Sequence, residues 1–357
     1  MALVKKVRTL GSRGGAGASS RARSSARPAF VPKDAPCHHR CPAGTDVRGF
    51  LGTLARGTTR GLTEAQALQE AFRVIVDRNP LPAVCGRLCP HHCETGCTRE
   101  AYDGSVSVNQ VERAIAEAAI QAGWPLTRTA GEPRGVAVTV IGAGAAGLSA
   151  SYQLARRGYR VTLADPHEAA GGELRYGIGD AQLPRAILDA EIDRIFALGV
   201  AFAGGADLQA VEAAAVRIVK TKVYQVAAPV ALGAIAAAVH FGRHAASMLD
   251  AEVSGTPIEA AARLPIAKDK VQPDYHQRQA RGETTAETWS TAAAKAEALR
   301  CLSCGACFAC DSCWKYCPDQ AVIRPTEPGH PYRFKLEFCQ GCAKCAEQCP
   351  SHYIEMR

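Results

Sequence analysis

The sequence predicts a multidomain chain in three parts: an N-terminal α-helical part that carries cysteines, a reduced α/β part, and a small cysteine-rich C-terminal part. Three observations lead there. Six cysteines fall between Cys37 and Cys97 and ten between Cys301 and Cys349, so all sixteen sit in two blocks. Between the blocks, Gly142-x-Gly144-x-x-Gly147 joins an apolar run to a helix-forming segment and a second apolar run. At 357 residues and 47% hydrophobic, the chain has room for two or three domains and enough apolar surface for a core.

The N-terminus is set apart by charge. Residues 1–33 carry eight Lys or Arg and no acid, and the rest of the chain balances at 34 of each sign. The folded part therefore offers no basic face, and no nucleic-acid partner is expected. Gly11, Gly14, Gly15, Gly17 and several serines give residues 1–34 a disordered composition. The stretch reads as a basic flexible arm that docks on a partner; an acid-free, Arg/Ser-rich start also fits an organelle transit peptide. A signal peptide is not expected, because the first residues lack a continuous apolar region. The longest apolar run, Val226 to Val239, is mostly Ala and too short to span a bilayer, so it reads as a buried helix. A cytoplasmic protein with no membrane span follows.

In the N-terminal block, "APCHHRCPAG" contributes Cys37 and Cys41, and "AVCGRLCPHHCETGC" contributes Cys85, Cys89, Cys93 and Cys97. Cysteines at i and i+4 share a helical face, and three-residue gaps also suit a loop around an iron–sulfur cubane. His38, His39, His91 and His92 lie among them, so zinc is a competing reading. Six cysteines can complete one all-cysteine cluster; a second needs another kind of ligand.

In the middle, the apolar run Val136–Ile141 reads as a buried parallel strand, Leu148–Arg157 as a helix and Arg160–Ala164 as a second strand, ending at Asp165. Strand, glycine turn, helix, strand and acid together make a Rossmann-type dinucleotide fingerprint. Gly142 makes the turn, Gly144 lets backbone N–H groups approach the pyrophosphate, and Gly147 lets helix and strand pack. Asp165 would accept from the ribose hydroxyls. The glycines by themselves do not distinguish FAD from NAD.

The C-terminal block contains one spacing twice. Cys307, Cys310, Cys313 and Cys317 are followed by Pro318; Cys339, Cys342, Cys345 and Cys349 are followed by Pro350. This is the pattern of α+β bacterial ferredoxins with two [4Fe–4S] clusters, in which the last cysteine of each run ligates the other cluster. One cluster is expected on Cys307, Cys310, Cys313 and Cys349, the other on Cys339, Cys342, Cys345 and Cys317. Cys301 and Cys304, in "RCLSCG", have no place in that scheme. They are either spare thiols or ligands of a further centre whose partners the sequence does not name, and Cys85 is likewise unassigned.

With "APCHHRCPAGTDV", "NPLPAVCGRLCPHHCETGC", "VTVIGAGAAGLSASYQLARRGYRVTLAD…GGELRYGI…LPRAILDAEI" and "EALRCLSCGACFACDSCWKYCPDQAV" in view, the chain resembles the small subunit of glutamate synthase and its iron–sulfur flavoprotein relatives. These include the N-terminal part of dihydropyrimidine dehydrogenase. Relatives with a ferredoxin-like C-terminal extension, which exchange electrons between nicotinamide and a partner oxidoreductase, are more similar still. The resemblance covers most of residues 35–357. It implies FAD on Gly142, Ala143, Gly144, Gly147, Asp165, Gly172 and Leu174. It also implies an N-terminal [4Fe–4S] cluster on Cys41, Cys89, Cys93 and Glu112, with Cys37 and Cys97 matching half of a second. The C-x-x-C pair that precedes the "PC" in this family is absent here.

There is a larger departure. The family inserts an NAD(P)H-binding Rossmann domain into its FAD domain, but only 42 residues separate Val200 from Arg243, with no second glycine fingerprint. The expected organisation is a basic arm over 1–34, a helical cluster domain over 35–125 and a truncated FAD domain over 133–262. A linker and helix over 263–297 and a ferredoxin-like domain over 298–357 complete it. The expected function is an electron-transfer subunit, wiring FAD and clusters to a partner oxidoreductase in a hetero-oligomeric complex, with NAD(P)H reaching it through another subunit. Candidate partners are 2-oxoacid:acceptor oxidoreductases, aromatic-ring reductase systems, dissimilatory sulfite reductase and glutamate synthase large subunits. The alternative is an NAD(P)H:acceptor oxidoreductase of the glutamate synthase small-subunit type.

Overall fold

The structure, a computed structural model, describes residues 24–210, 221–225 (backbone), 234–255, 264–283, 289–327 and 330–357. Residues 1–23, most of the basic arm, and 226–233 of the long apolar run lie outside the described residues.

The N-terminal part is helical. Helix Val47–Arg56 is capped by Asp46, whose carboxylate accepts from Gly49 N at 2.9 Å. Helix Glu64–Val76 starts with a reciprocal Thr63–Gln66 capping box and buries Ala67, Ala71, Phe72, Ile75 and Val76 along one stripe. Two helices bear the cysteines of the second motif or face them: Pro82–Leu88 and Val108–Gln121.

Strands β2 (Ala137–Ile141), β3 (Arg160–Ala164), β4 (Ala201–Ala203) and β5 (Thr221–Gln225) form one parallel sheet in the order β4-β3-β2-β5. The helix Ala145–Arg156 follows the glycine turn and is buried from Ala145 through Ala155. Sheet on one side and helix Ile235–Ser254 on the other demand small residues: a β-carbon at Gly242 would stand 2.0 Å from the Ala146 carbonyl oxygen. The late residues of the long apolar run, Ile235, Ala236, Ala238 and Val239, are buried in that second helix. Strand β4 pairs with β3 and β5 with β2, so the described strands between Val200 and Arg243 extend the first sheet. Among the described residues no helix is long and apolar enough to cross a membrane.

One hydrophobic core runs from Ala43 through the α/β part to Cys301, so the helical and α/β parts are packed against each other without a seam. A smaller core around Val322, Tyr332 and Ile354 serves the C-terminal part. There, β6 (Val322–Ile323) pairs with β7 (Arg333–Phe334), and β8 (Ile354–Met356) pairs with β1, Pro28–Phe30. The composition places residues 28–30 in the flexible arm, whereas in the structure they supply the strand that pairs with the C-terminal part. Phe30 stacks on Phe334 at 4.5 Å and on Tyr353 at 5.3 Å.

Candidate iron–sulfur sites and dinucleotide turn

The two C-terminal runs fold as matched loops. In the first, Ala309 and Asp311 flank Cys310 with φ of 60° and 64°; in the second, Gly341 and Ala343 flank Cys342 with φ of 72° and 63°. Left-handed backbone at three non-glycine positions costs about 1–2 kcal/mol each, and strain of that kind collects at functional sites. A one-turn helix follows in each, Ser312–Lys315 and Lys344–Glu347. The final cysteine of each run then accepts a backbone N–H four residues on: Ala321 to Cys317 Sγ and Tyr353 to Cys349 Sγ, both 3.2 Å.

This repeat brings the last cysteine of the second run to the first run. Cys307, Cys310, Cys313 and Cys349 line one cavity, closed by Phe30, Phe308, Tyr332 and Tyr353. Burial pushes the Cys313 thiol up to about 12, and Cys307, Cys310 and Cys349 act in the same direction. Cys345 is likewise pushed up to about 11 by burial, with Cys339, Cys317 and Cys342 beside it. Four thiols crowded in this way can ionise together only if a cationic centre compensates them.

In the N-terminal part, Cys41, Cys89, Cys93 and Glu112 line a common cavity with Cys85, Asn79, His91 and His92. His91, between Cys89 and Cys93, is left-handed with φ of 60°. The Glu112 carboxyl is buried and pushed up to about 7, while Asn79 Nδ2 donates to its Oε1 at 3.0 Å. The Asn79 side-chain oxygen lies 3.6 Å from Cys85 Sγ, so one amide steadies both the carboxylate and the extra thiol. His38 is turned to Asp46, 3.7 Å away. Among the described residues, no three His, Cys, Asp or Glu side chains close on a point that a lone metal ion could occupy.

Cys37 and Cys97 face a different cavity, and Cys301 and Cys304 face it with them. Burial raises the Cys37 thiol well above its ordinary range, with Cys301, Cys97 and Cys304 adding to the effect. Sequence spacing did not reveal this grouping, because Cys97 and Cys301 are 204 residues apart.

The glycine turn has the geometry of a phosphate cradle. Gly142 has φ of 96°, and a β-carbon on Gly147 would stand 1.7 Å from the Gly142 carbonyl oxygen. At Gly144, by contrast, a β-carbon would meet no atom within 4 Å, so the mouth of the turn is open. Asp165 braces the turn: its carboxylate accepts from Ala143 N at 2.6 Å and from His167 N at 3.0 Å. His167 Nδ1 also lies 2.8 Å from Oδ1, so the further acceptor capacity is on Oδ2. Gly171 N donates to the Ala143 carbonyl at 2.9 Å, and Gly172, with φ of 50°, lies against Gly144. Leu174, in the one-turn helix Glu173–Tyr176 that follows Gly172, is fully buried.

Two family models match the chain: "dihydropyrimidine dehydrogenase domain II, 4Fe-4S cluster" over residues 16–124 and "NAD(P)-binding Rossmann-like domain" over residues 140–178. The chain is 38% identical over 173 residues to the NAD-dependent dihydropyrimidine dehydrogenase subunit PreT of Escherichia coli (strain K12), covering 47% of this chain and 39% of that protein. It is 36% identical over 207 residues to the NADP(+)-dependent formate dehydrogenase subunit beta of Moorella thermoacetica, covering 52% and 28%. It is 32% identical over 169 residues to the glutamate synthase [NADPH] small chain of Azospirillum brasilense, covering 46% and 33%. The chain thus spans well under half the length of these relatives. The likeness to the glutamate synthase small chain and to dihydropyrimidine dehydrogenase, expected from the quoted motifs, holds over about half of the chain.

Proposed function

We propose that this homologue of dehydrogenase and glutamate synthase subunits is an iron–sulfur flavoprotein electron-transfer subunit, relaying electrons between FAD, [4Fe–4S] clusters and a partner oxidoreductase. The observation that carries the reading is the crossed cavity of Cys307, Cys310, Cys313 and Cys349, matched by the set Cys339, Cys342, Cys345 and Cys317. Spacing, loop conformation and burial all suit two cubanes held as in a bacterial ferredoxin. Cys41, Cys89, Cys93 and Glu112 would hold an N-terminal cluster, with Asn79 orienting the carboxylate.

FAD, when bound, would exchange electron pairs with a two-electron donor and single electrons with clusters. The open mouth at Gly144 would admit its pyrophosphate, the N-terminus of helix Ala145–Arg156 would face the phosphate charge, and Asp165 would hold the turn while offering acceptors to the ribose. None of the sixteen cysteines is paired in a disulfide, which suits a reducing compartment such as the cytoplasm.

A second reading, an NAD(P)H:acceptor oxidoreductase, is favoured by the names of the relatives, which are NAD-, NADP(+)- and NADPH-dependent proteins. Against it stands strand β5, which extends the one parallel sheet where an inserted nicotinamide domain would begin. The nicotinamide site is therefore assigned to a partner subunit.

The test is the full chain prepared without oxygen, assayed for iron, acid-labile sulfide and flavin, and examined by EPR after dithionite. Interacting [4Fe–4S] signals together with bound flavin are expected. Cys317→Ala should damage the cluster on Cys339, Cys342 and Cys345 and spare that on Cys307, Cys310 and Cys313. Zinc in place of iron, or damage confined to the first run, would overturn the assignment.

A further inference from the structure

We propose that Cys37, Cys97, Cys301 and Cys304 hold a further [4Fe–4S] cluster, assembled from opposite ends of the chain. The inference deepens the electron-transfer reading and rests on it. All four thiols line one cavity, and Arg48 and Arg99 line it with them, Arg99 with its guanidinium paired to Asp103, whereas no carboxylate lines the cavity among the described residues. A cubane held by four thiolates carries net negative charge, so cationic walls without an acid suit it.

The loop conformation is the second, independent observation. Ser303 and Gly305 flank Cys304 with φ of 53° and 72°. This repeats the left-handed, cysteine, left-handed arrangement of Ala309-Cys310-Asp311 and Gly341-Cys342-Ala343. The hydrogen bonding repeats as well: Ser303 N lies 3.4 Å from Cys301 Sγ, as Gly341 N lies 3.4 Å from Cys339 Sγ. Cys301-x-x-Cys304 is thus a third copy of the loop that grips a cubane in this same chain. A spare thiol pair has no reason to take up strained backbone at Ser303.

The loop is also pinned against the N-terminal helices. Arg48 Nη1 donates to the Cys304 carbonyl at 2.6 Å, and Arg56 donates to the Cys301 carbonyl at 3.0 Å and to Ser303 Oγ at 3.1 Å. Both arginines belong to helix Val47–Arg56, which packs on helix Thr291–Ala298 just ahead of the loop. Arg300, fully buried between Glu297 and Asp103, fixes the strand of chain entering Cys301. Tertiary structure therefore supplies here the C-x-x-C pair that is absent upstream of Cys37.

Position follows from covalent reach. Cys304 and Cys307 are three residues apart, so their Cα atoms lie within roughly 11 Å. Cys37 and Cys41 are one helical turn apart, about 6 Å along the axis. The centre sits between the cluster on Cys41, Cys89, Cys93 and Glu112 and the cluster on Cys307, Cys310, Cys313 and Cys349. It makes one continuous route for single electrons from the helical part to the C-terminal part.

The test uses the full chain, with Cys301→Ala and Cys304→Ala combined. Four clusters predict a loss of about a quarter of the iron and acid-labile sulfide per chain, with flavin and the coupled C-terminal EPR signals retained. Unchanged iron in the double variant would overturn the proposal. So would zinc found in the wild-type chain and lost in the variant. Should the variant not fold, Mössbauer counting on the unaltered chain decides. Four [4Fe–4S] clusters per chain support the further centre, and three overturn it while leaving the electron-transfer reading intact. A chain with no cubane at all overturns both.

Discussion

The buried carboxylate of Glu191 in the α/β part accepts from the backbone N–H of Ala83 at 2.7 Å, and its second oxygen accepts from Val84 N at 3.0 Å. Helix Pro82–Leu88, which leads into the cysteines at 85 and 89, thus takes its cap from helix Arg185–Phe196, over one hundred residues away in sequence. The dinucleotide part holds the first turn of a cysteine-bearing helix in place.

Removing that cap should be felt at the metal. Glu191→Ala leaves two buried N–H groups without partners, at about 1–3 kcal/mol each. Iron bound by the N-terminal part should fall, and the denaturation midpoint should drop, while Glu191→Gln retains one acceptor and loses less. Urea unfolding with iron assay of both variants measures it; equal behaviour of Ala and Gln would show that the cap is not what matters.

Glu191 also predicts a pH dependence. Burial pushes its carboxyl from 4.5 up to about 7. The folded chain then binds a proton that the unfolded chain has released, so this group's contribution is full below about 4.5 and is lost as pH rises to about 7. Stability measured across that window should fall more steeply for the wild type than for Glu191→Gln. A parallel pair of curves counts against the assignment.

Gly144 and Gly147 should separate binding from folding. A β-carbon at Gly144 meets nothing within 4 Å, so Gly144→Val should leave the melting temperature near that of the wild type and abolish flavin by filling the pyrophosphate's place. Gly147→Ala would put a methyl 1.7 Å from the Gly142 carbonyl oxygen and should destabilise the fold itself. Flavin retained at full occupancy in Gly144→Val refutes the cradle.

Phe30→Ala should loosen the C-terminal clusters although it lies nearly 280 residues before them. Its ring stacks on Phe334 and Tyr353 and lines the cavity of Cys307 and Cys349. A loss of about 1–3 kcal/mol is expected, together with faster bleaching of the coupled EPR signal in air. Bleaching at the wild-type rate would mean that β1 does not support this site.

The chain alone should not be reduced by NADH or NADPH at a catalytic rate. Hydride transfer requires the nicotinamide to be held against the flavin, and positioning of that kind supplies much of the rate. Stopped-flow mixing of the purified chain with each nucleotide checks this; saturable flavin reduction without a partner would refute it.

Much of the candidate site was legible in sequence because its residues are local. Three thiols of each C-terminal run sit within seven residues, and the glycine turn, its helix and Asp165 within about two dozen, so spacing alone constrains their geometry. The grouping of Cys349 with the first run and of Cys317 with the second was expected from the repeat. What sequence could not resolve depends on contacts between distant segments. Cys301 and Cys304 carry no spacing relation to Cys37 and Cys97, and only the packing of helix Thr291–Ala298 on helix Val47–Arg56, with Arg48 and Arg56 gripping the loop, brings the four thiols to one cavity. Strand β1 is three residues long, too short to show an alternating pattern, and its partner β8 lies at the other end of the chain. Short-range periodicity encodes helices, strands and loops, whereas the meeting of two chain ends is decided by burial of a shared core, which no local pattern records.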